Sequence, residues 1–138
     1  SLAEELLLDS SVAVALLVED HIAHGSSLEA VQGYRLGMAG HALFETMSVL
    51  TRLPGADRRP VGIVATAIAR SFPATRFLSE AGSLSLMTEM AEAGISGGAI
   101  FDALVAAAAR EHGLVLATRD SRARSTYRAL NVEVRFID

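Results

Sequence analysis

Short buried runs that alternate with helical segments constrain the fold of this chain more than any other feature. Leu6-Leu7-Leu8 and Leu114-Val115-Leu116-Ala117-Thr118 are continuous apolar runs of strand length, as expected for strands that are covered on both faces. Segments of helical length lie between these runs and end at glycine or proline, the residues that commonly stop a helix. The pattern predicts the α/β class, as a three-layer α/β/α sandwich around a central, mainly parallel sheet.

The predicted elements form one continuous series. We predict strands at residues 5–9, 34–39, 75–78, 114–118 and 132–137, and helices at 12–18, 19–32, 41–53, 61–72, 80–93, 99–112 and 121–130. Ser10-Ser11 and Ser79 are the expected caps of the helices that follow them. No linker, repeat or low-complexity stretch divides the chain, and 138 residues is the usual length of one domain. We therefore predict a single domain over residues 1–138.

Composition excludes several classes of protein. A hydrophobic content of 51% excludes a disordered chain, and the absence of cysteine excludes disulfides, thiolate metal sites and a cysteine nucleophile. The longest apolar stretches, Val12–Val18 and Ala103–Ala109, are far below the roughly 18 residues of a membrane helix. Charged Glu4 and Glu5 stand where a secretion signal would carry its basic flank. We expect a cytoplasmic protein without membrane contact.

The charged residues narrow the chemistry further. All 12 basic residues are arginine, so a P-loop lysine, a Schiff-base lysine and the phosphate-binding lysine of receiver-type domains are excluded. The formal net charge is −4, so a nucleic acid must be held by a local arginine patch or by metal ions. Tryptophan is absent and aromatic residues make up only 5% of the chain, which argues against a base-stacking platform.

Two aspartates follow predicted strands directly. Asp9 comes after Leu6-Leu7-Leu8, and Asp120 comes just after the run that ends at Thr118. Ligands of open parallel sheets bind beyond the carboxyl ends of the strands, so both side chains are candidates for a functional site. An aspartate between a strand and a helix also serves simply as a helix N-cap, and the sequence leaves both interpretations open.

Two further carboxylates lie within predicted helices. Asp102 is surrounded by apolar residues on a helix that is predicted to be buried, so its charge requires an arginine or a metal ion nearby. Glu45 lies on the helix at 41–53, and Arg52 is too far along that helix for an i,i+4 ion pair. A solvated helix face remains an alternative for Glu45.

These residues carry a resemblance to a known family. The chain resembles a PIN domain, and most closely a VapC-type toxin of a bacterial toxin–antitoxin pair. The matching segments are Leu8-Asp9-Ser10-Ser11, Glu45 with Leu50 and Arg52, Ile100-Phe101-Asp102-Ala103-Leu104-Val105-Ala106-Ala107-Ala108, and Glu111-His112-Gly113-Leu114-Val115-Leu116-Ala117-Thr118-Arg119-Asp120-Ser121-Arg122-Ala123. The four segments occur in the family's order and together extend along most of the chain, except for residues 55–97.

The resemblance implies a site and an activity. It assigns Asp9, Glu45, Asp102 and Asp120 to an acidic metal site, with Thr118 and either Ser10 or Ser11 as polar support. Ligands that are all oxygen favour Mg²⁺ or Mn²⁺ over zinc, and such an ion activates water and holds a phosphodiester. The family resemblance implies an endoribonuclease that leaves a 5′-phosphate and a 3′-hydroxyl. It also implies a homodimer, and an antitoxin whose C-terminal segment blocks the acidic site.

The densest basic cluster flanks Asp120. It comprises Arg119, Arg122, Arg124 and Arg128, and it either meets RNA phosphates or forms a solvated face that pairs with nearby acids. Arg119 and Arg122 are the stronger candidates for RNA binding because they lie nearest the predicted crevice. We assign no catalytic role to any of the four histidines.

Two apolar segments exceed what a thin sheet covers. Val12–Val18 and Val61–Phe72 are therefore either partner and dimer surfaces or ordinary core.

Two other functions are alternatives to a nuclease. A non-catalytic PIN-like module that binds RNA or protein would not need four acids in one place. A phosphoryl-transfer domain of receiver or phosphatase type is disfavoured by the absence of lysine and by Ser11, where a second aspartate would be needed.

Overall fold

A four-stranded sheet organises the chain. The computed structural model describes residues 3–138, so Ser1 and Leu2 of the predicted 1–138 domain lie outside the described residues. The strands are β1 (Glu5–Leu8), β2 (Arg35–Met38), β3 (Leu116–Thr118) and β4 (Val134–Phe136). Their order is β2-β1-β3-β4, and every neighbouring pair is parallel. This sheet confirms the predicted α/β class.

Helices connect the strands and cover the sheet. They are α1 (Ser10–Leu17), α2 (His24–Ala30), α3 (Ala42–Thr51), α4 (Val61–Ser71), α5 (Glu80–Ala93), α6 (Ala99–Glu111) and α7 (Arg124–Ala129), with 3₁₀ turns at Gly55–Asp57 and Ser121–Ala123. The chain runs outward from β1 to β2 and then returns to β3 on the other side of β1. Right-handed crossovers in opposite directions place helices on opposite faces of a sheet, which gives the three-layer sandwich.

The strand order reverses between β1 and β3. The backbone N–H of Asp9 donates to the carbonyl oxygen of Ala117 at 3.1 Å, so the two strands end side by side. A reversal of this kind opens a crevice at the carboxyl ends of the strands, where open α/β sheets bind their ligands. The fold therefore brings the residues that follow β1 and β3 to one place.

The core lies along β1, α1 and α6. Leu6, Leu7 and Leu8 are almost completely buried, as are five alanines of α6 and both Val12 and Ala13 of α1. Of the two apolar segments that left a choice between core and partner surface, Val12–Val18 is therefore core. On α4, in contrast, Val61 and Ile63 remain about 60% exposed. No helix among residues 3–138 combines the length and apolarity needed to cross a membrane.

The predicted strand at residues 75–78 is wrong. The chain instead passes beside β2 through two isolated bridges, Gly37 with Pro73 and Ala39 with Arg76, and Pro73 lacks the N–H that a regular ladder requires. Gly37 permits this approach, since a Cβ at that position would lie 2.1 Å from the carbonyl carbon of Ala74. Gly37, which has a low strand propensity, is thus the residue that lets residues 73–76 pack beside β2.

Several predicted boundaries also differ from those of the structure. The helix predicted at 19–32 is formed only from His24 to Ala30, because Nδ1 of His21 accepts from the N–H of Ala23 at 3.0 Å and the preceding residues form tight turns. The helix predicted at 121–130 divides into a 3₁₀ turn and α7, and β3 begins at Leu116 rather than 114. None of these differences moves a strand out of the sheet.

Candidate active site

Asp9 is fixed at the centre of the crevice. It is the N-cap of α1 and only 4% exposed, so the capping interpretation is confirmed, and the site interpretation stays a prediction. Its Oδ1 accepts from the Ser11 N–H at 3.1 Å, the Ser11 hydroxyl at 2.5 Å and the Val12 N–H at 3.4 Å. Its Oδ2 accepts from the Thr118 hydroxyl and, at 3.0 Å, from the Tyr127 hydroxyl. Five donors therefore hold one carboxylate.

Burial and hydrogen bonding act on Asp9 in opposite directions. Burial disfavours the charged form and raises the pKa of this carboxyl above its usual value, while the donors from Ser11, Thr118 and Tyr127 lower it. Burial is the larger effect, so the pKa is raised overall. A nearby cation would offset the remaining cost of the buried charge.

Thr118 connects the two strand-end aspartates. Its hydroxyl donates to Asp9 and accepts from the backbone N–H of Asp120 at 3.0 Å. Asp120 in turn caps the 3₁₀ turn that follows, where its Oδ1 accepts from the Arg122 N–H at 3.0 Å. The predicted supporting role of Thr118 thus corresponds to a direct hydrogen-bond link between β1 and the end of β3.

Asp102 enters the crevice from the first turn of α6. It is half-buried, and its pKa is raised to about 6 by burial and by the charges of Asp120 and Asp9, against an opposing effect of Arg122. The sequence required a cation next to this carboxylate, yet no arginine lies within 4 Å of it in the part of the chain that is described. Within residues 3–138, Asp102 thus forms no ion pair, and the charge of Arg122 only partly offsets the effects that raise its pKa.

Glu45 belongs to the same electrostatic group. It is half-buried on α3, and burial together with the charges of Asp102 and Asp9 raises its pKa. Arg52 does not pair with it; the Arg52 Nε donates instead to Ser48 Oγ at 3.3 Å. A fully solvated helix face, the alternative for Glu45, does not fit its burial and its interaction with two other carboxylates.

The four carboxylates interact, but they do not surround a single point. Within residues 3–138, no three acidic or histidine side chains approach closely enough to hold one ion between them. The donor set still suits a hard divalent cation, because it consists entirely of oxygen atoms and three of its members have raised pKa values. Asp9 is fixed by its donors, whereas Glu45 and Asp102 have no such bonds among the described hydrogen bonds.

The supporting residues differ from the predicted ones in two respects. Of the two serines, Ser11 contacts Asp9, and its Oγ also accepts from the Arg119 N–H at 2.8 Å; Ser10 instead lines a neighbouring cleft. Tyr127 was missed, because its position on a short helix reads as ordinary core. A tyrosine that is 2% exposed needs a partner for its hydroxyl, but this burial is visible only in the structure, so the sequence carried no signal for the contact.

The two arginines proposed for RNA binding have different environments. Arg122 is exposed, and its Nε lies 3.5 Å from Asp120 Oδ1. It therefore pairs with a nearby acid, as one of the two interpretations of the basic cluster expected, and its side chain is still accessible to RNA. Arg119 is half-buried and its Nε lacks a hydrogen-bond partner among the described residues. Arg124 packs over the ring of Phe136, at 3.8 Å from the ring centroid.

Two comparisons of the sequence with known proteins show similarity over most of the chain. A sequence model of the PIN domain matches residues 6–129. The chain is 43% identical to ribonuclease VapC27 of Mycobacterium tuberculosis over 94% of each chain, and 38% identical to ribonuclease VapC40 of the same species over 94% of this chain and 96% of the relative.

Solved structures share the fold. VapBC2 of Rickettsia felis bound to a promoter DNA fragment superposes with a TM-score of 0.68 at 16% identity, over 97% of this chain and 99% of that chain. VapC20 of Mycobacterium tuberculosis, a toxin that cleaves the sarcin–ricin loop, superposes with a TM-score of 0.67 at 20% identity, over 87% of this chain and 93% of that chain.

Proposed function

We propose that this chain, which belongs to the PIN domain family, is an endoribonuclease that acts as the toxin of a toxin–antitoxin pair and depends on Mg²⁺ or Mn²⁺. The observation that carries the proposal is the electrostatic coupling of acidic side chains at the crevice between β1 and β3. The pKa values of Asp9, Glu45 and Asp102 are raised there, and no arginine among the described residues forms an ion pair with Asp102. The relatives named ribonuclease VapC support the activity.

The carboxylates of the crevice differ in how firmly hydrogen bonds hold them. Asp9 presents a carboxylate that Ser11, Thr118 and Tyr127 keep in one orientation, while Glu45 and Asp102 provide oxygens that can turn toward a ligand. A bound Mg²⁺ or Mn²⁺ would supply activation of water and neutralisation of the scissile phosphate. Arg122, exposed at the edge of the crevice, is placed to contact the RNA backbone.

Partner binding is a second part of the proposal. The structural neighbours include VapBC toxin–antitoxin complexes, and we infer an antitoxin partner and a homodimer for this chain. Large apolar side chains that are 60–64% exposed support protein contacts on α4 and α5, namely Val61, Ile63, Leu84 and Met87. The family match over residues 6–129 supports a single PIN domain.

A calorimetric titration of Mn²⁺ into the antitoxin-free protein tests the metal site without knowledge of the RNA. We expect binding by the native chain, at least a tenfold loss with Asp102→Asn, and no change with Asp57→Asn. Asp57 is an exposed aspartate in a 3₁₀ turn away from the crevice, which makes it a matched control.

The same variants are then incubated with RNA and Mn²⁺. Cleavage by the native chain and by Asp57→Asn, and its loss in a folded Asp102→Asn variant, would support the nuclease. Full cleavage by Asp102→Asn would exclude the proposed site. Metal-independent RNA binding without cleavage would favour the non-catalytic module instead.

A further inference from the structure

An open cleft adjoins the acidic crevice. It has a volume of about 390 Å³ and lies between α3 and the start of α6, within the range of sites that hold small ligands. Glu45 and Ser10 form part of its wall, and Phe101, which directly precedes Asp102, forms another part. A group bound in this cleft would therefore lie beside the carboxylates rather than at a distance from them.

An aromatic pair forms one side of the cleft. The rings of His41 and Phe101 are stacked, with centroids 5.1 Å apart and planes inclined by 19°. Phe101 remains 47% exposed, and Phe44, which also lines the cleft, is 56% exposed. An exposed, already stacked ring presents a flat apolar face, and every nucleobase has a matching face.

A cation lies along the same cleft. His41 precedes α3 and Arg52 follows it, so their backbones are separated by about 16 Å along the helix axis. Nε of Arg52 donates to Ser48, and no carboxylate lies within 4 Å of this guanidinium among residues 3–138. A flat apolar face and an unpaired cation are the two features that bind neighbouring nucleotides of a single strand.

We propose that this cleft is a subsite for single-stranded RNA, in which one unpaired base stacks on the Phe101–His41 pair and Arg52 contacts the phosphate of a neighbouring nucleotide. The inference rests on the proposed function and adds to it the residues that hold a base and a phosphate beside the cleavage site. A paired base has both faces covered by its neighbours, so the cleft selects unpaired RNA next to the cleavage site. Stacking alone carries no base identity, so the subsite selects strandedness rather than sequence.

The low aromatic content does not conflict with this subsite. Three of the seven phenylalanine and tyrosine residues are exposed phenylalanines, and they lie in one strip formed by Phe77, Phe44 and Phe101. The low aromatic content of the whole chain argued against a base-stacking platform, whereas the fold places these exposed rings together beside the acidic crevice. Phe77 lies outside the cleft, with its ring centroid 6.2 Å from that of Phe44.

The experiment measures binding separately from cleavage. A fluorescein-labelled single-stranded RNA of about ten nucleotides, and the duplex of the same sequence, are titrated in EDTA with the native chain and its variants, using fluorescence anisotropy. We expect Phe101→Ala and Phe101→Leu to weaken single-strand binding about 5- to 100-fold. Phe101→Tyr keeps an aromatic ring and should bind the single strand as the native chain does. Arg52→Gln should reduce the slope of log K against log salt by about 0.7.

Phe77→Ala is the matched control. It removes a ring that is equally exposed, at 48%, but outside the cleft, so binding of the single strand should not change. Circular dichroism and the unfolding midpoint of each variant establish that it is folded. Duplex binding should be weaker than single-strand binding and insensitive to Phe101.

The other possible results either overturn the subsite or separate it from the nuclease activity. Unchanged binding with Phe101→Ala, or no binding of the single strand by the native chain, overturns the subsite. Equal losses with Phe101→Ala and Phe77→Ala also overturn it, and indicate an apolar strip for a protein partner. If binding depends on Phe101 but no RNA is cleaved with Mn²⁺, the subsite stands and the nuclease fails. The reverse result leaves the nuclease and removes the subsite.

Discussion

The hydroxyl of Tyr127 donates to Oδ2 of Asp9 at 3.0 Å, joining residues that are 118 positions apart. Both side chains are buried. The contact connects α7, near the end of the chain, to the end of β1. Burial and then the charge of Asp9 raise the pKa of Tyr127. A residue with no evident chemistry in the sequence thus orients the central carboxylate of the site.

Replacing Tyr127 by phenylalanine removes only this hydroxyl. Because a buried hydrogen bond to a charged group contributes about 1.5–3 kcal/mol, we expect Tyr127→Phe to lower the free energy of unfolding by about that amount and to weaken Mn²⁺ binding. Urea denaturation and calorimetry measure the two effects. Tyr34→Phe is the control, since the Tyr34 hydroxyl accepts from Arg135 at 3.1 Å away from the crevice. Equal Mn²⁺ affinity in Tyr127→Phe and the native chain would argue against a positioning role.

The two adjacent serines are expected to differ sharply. Ser11→Ala removes a donor to Asp9 and an acceptor from Arg119, and the unsatisfied partners should cost about 1–3 kcal/mol of unfolding free energy. Ser10→Ala should change stability by less than about 0.5 kcal/mol. Denaturation of both variants under the same conditions makes the comparison. Similar losses in the two variants would contradict the assignment of Ser11 as the supporting serine.

The metal-free protein should become less stable as pH rises between about 4 and 6. The pKa of Asp102 is raised from 3.8 to about 6 on folding, so the folded state binds more protons than the unfolded state across this interval. The stability that this group provides in its protonated form is present below the interval and is lost above it. Asp102→Asn should therefore be more stable than the native chain at pH 8 in EDTA.

Unfolding experiments across this pH range, for the native chain and Asp102→Asn, measure the effect as a difference between the two curves. Added Mn²⁺ should stabilise the native chain at pH 8, because the cation opposes the repulsion among the carboxylates. A constant difference between the curves at all pH values would show that folding does not raise the pKa of Asp102.

Gly37 should tolerate no side chain. A Cβ there would lie 2.1 Å from backbone carbon and 2.2 Å from backbone oxygen of Ala74, so we expect Gly37→Ala to lower the free energy of unfolding by about 3 kcal/mol or more. Gly62→Ala is the opposite case, since a Cβ at that position of α4 meets nothing within 4 Å, and it should be neutral or stabilising by up to about 1 kcal/mol. Thermal denaturation of both proteins checks the pair, and a folded Gly37→Ala variant of native stability would contradict the close approach.

The parts of the site that were predictable are those with local signals. Asp9 and Asp120 follow apolar strand runs, and position at a strand end is visible in the order of residues. Asp102 was identifiable because a carboxylate conflicts with the apolar helix around it. The strand at residues 75–78 was predicted wrongly, because the local sequence does not show that this part of the chain meets β2 only through two isolated bridges.

The sequence by itself determined the class of fold and the parallel sheet, because hydrophobic periodicity acts over a few neighbouring positions. It also marked the four carboxylates as candidates, and the resemblance to the PIN domain assigned them to one metal site. Only the tertiary structure decided that Ser11 rather than Ser10 holds Asp9, that Tyr127 reaches the same carboxylate, and that Phe101 and His41 stack beside Glu45. The Tyr127 and Phe101 contacts join distant parts of the chain, and Ser11, although it lies two positions from Asp9, also accepts from the N–H of Arg119 on the far side of the sequence. Their existence depends on the packing of α3, α6 and α7 against the sheet, which no local pattern of residues specifies.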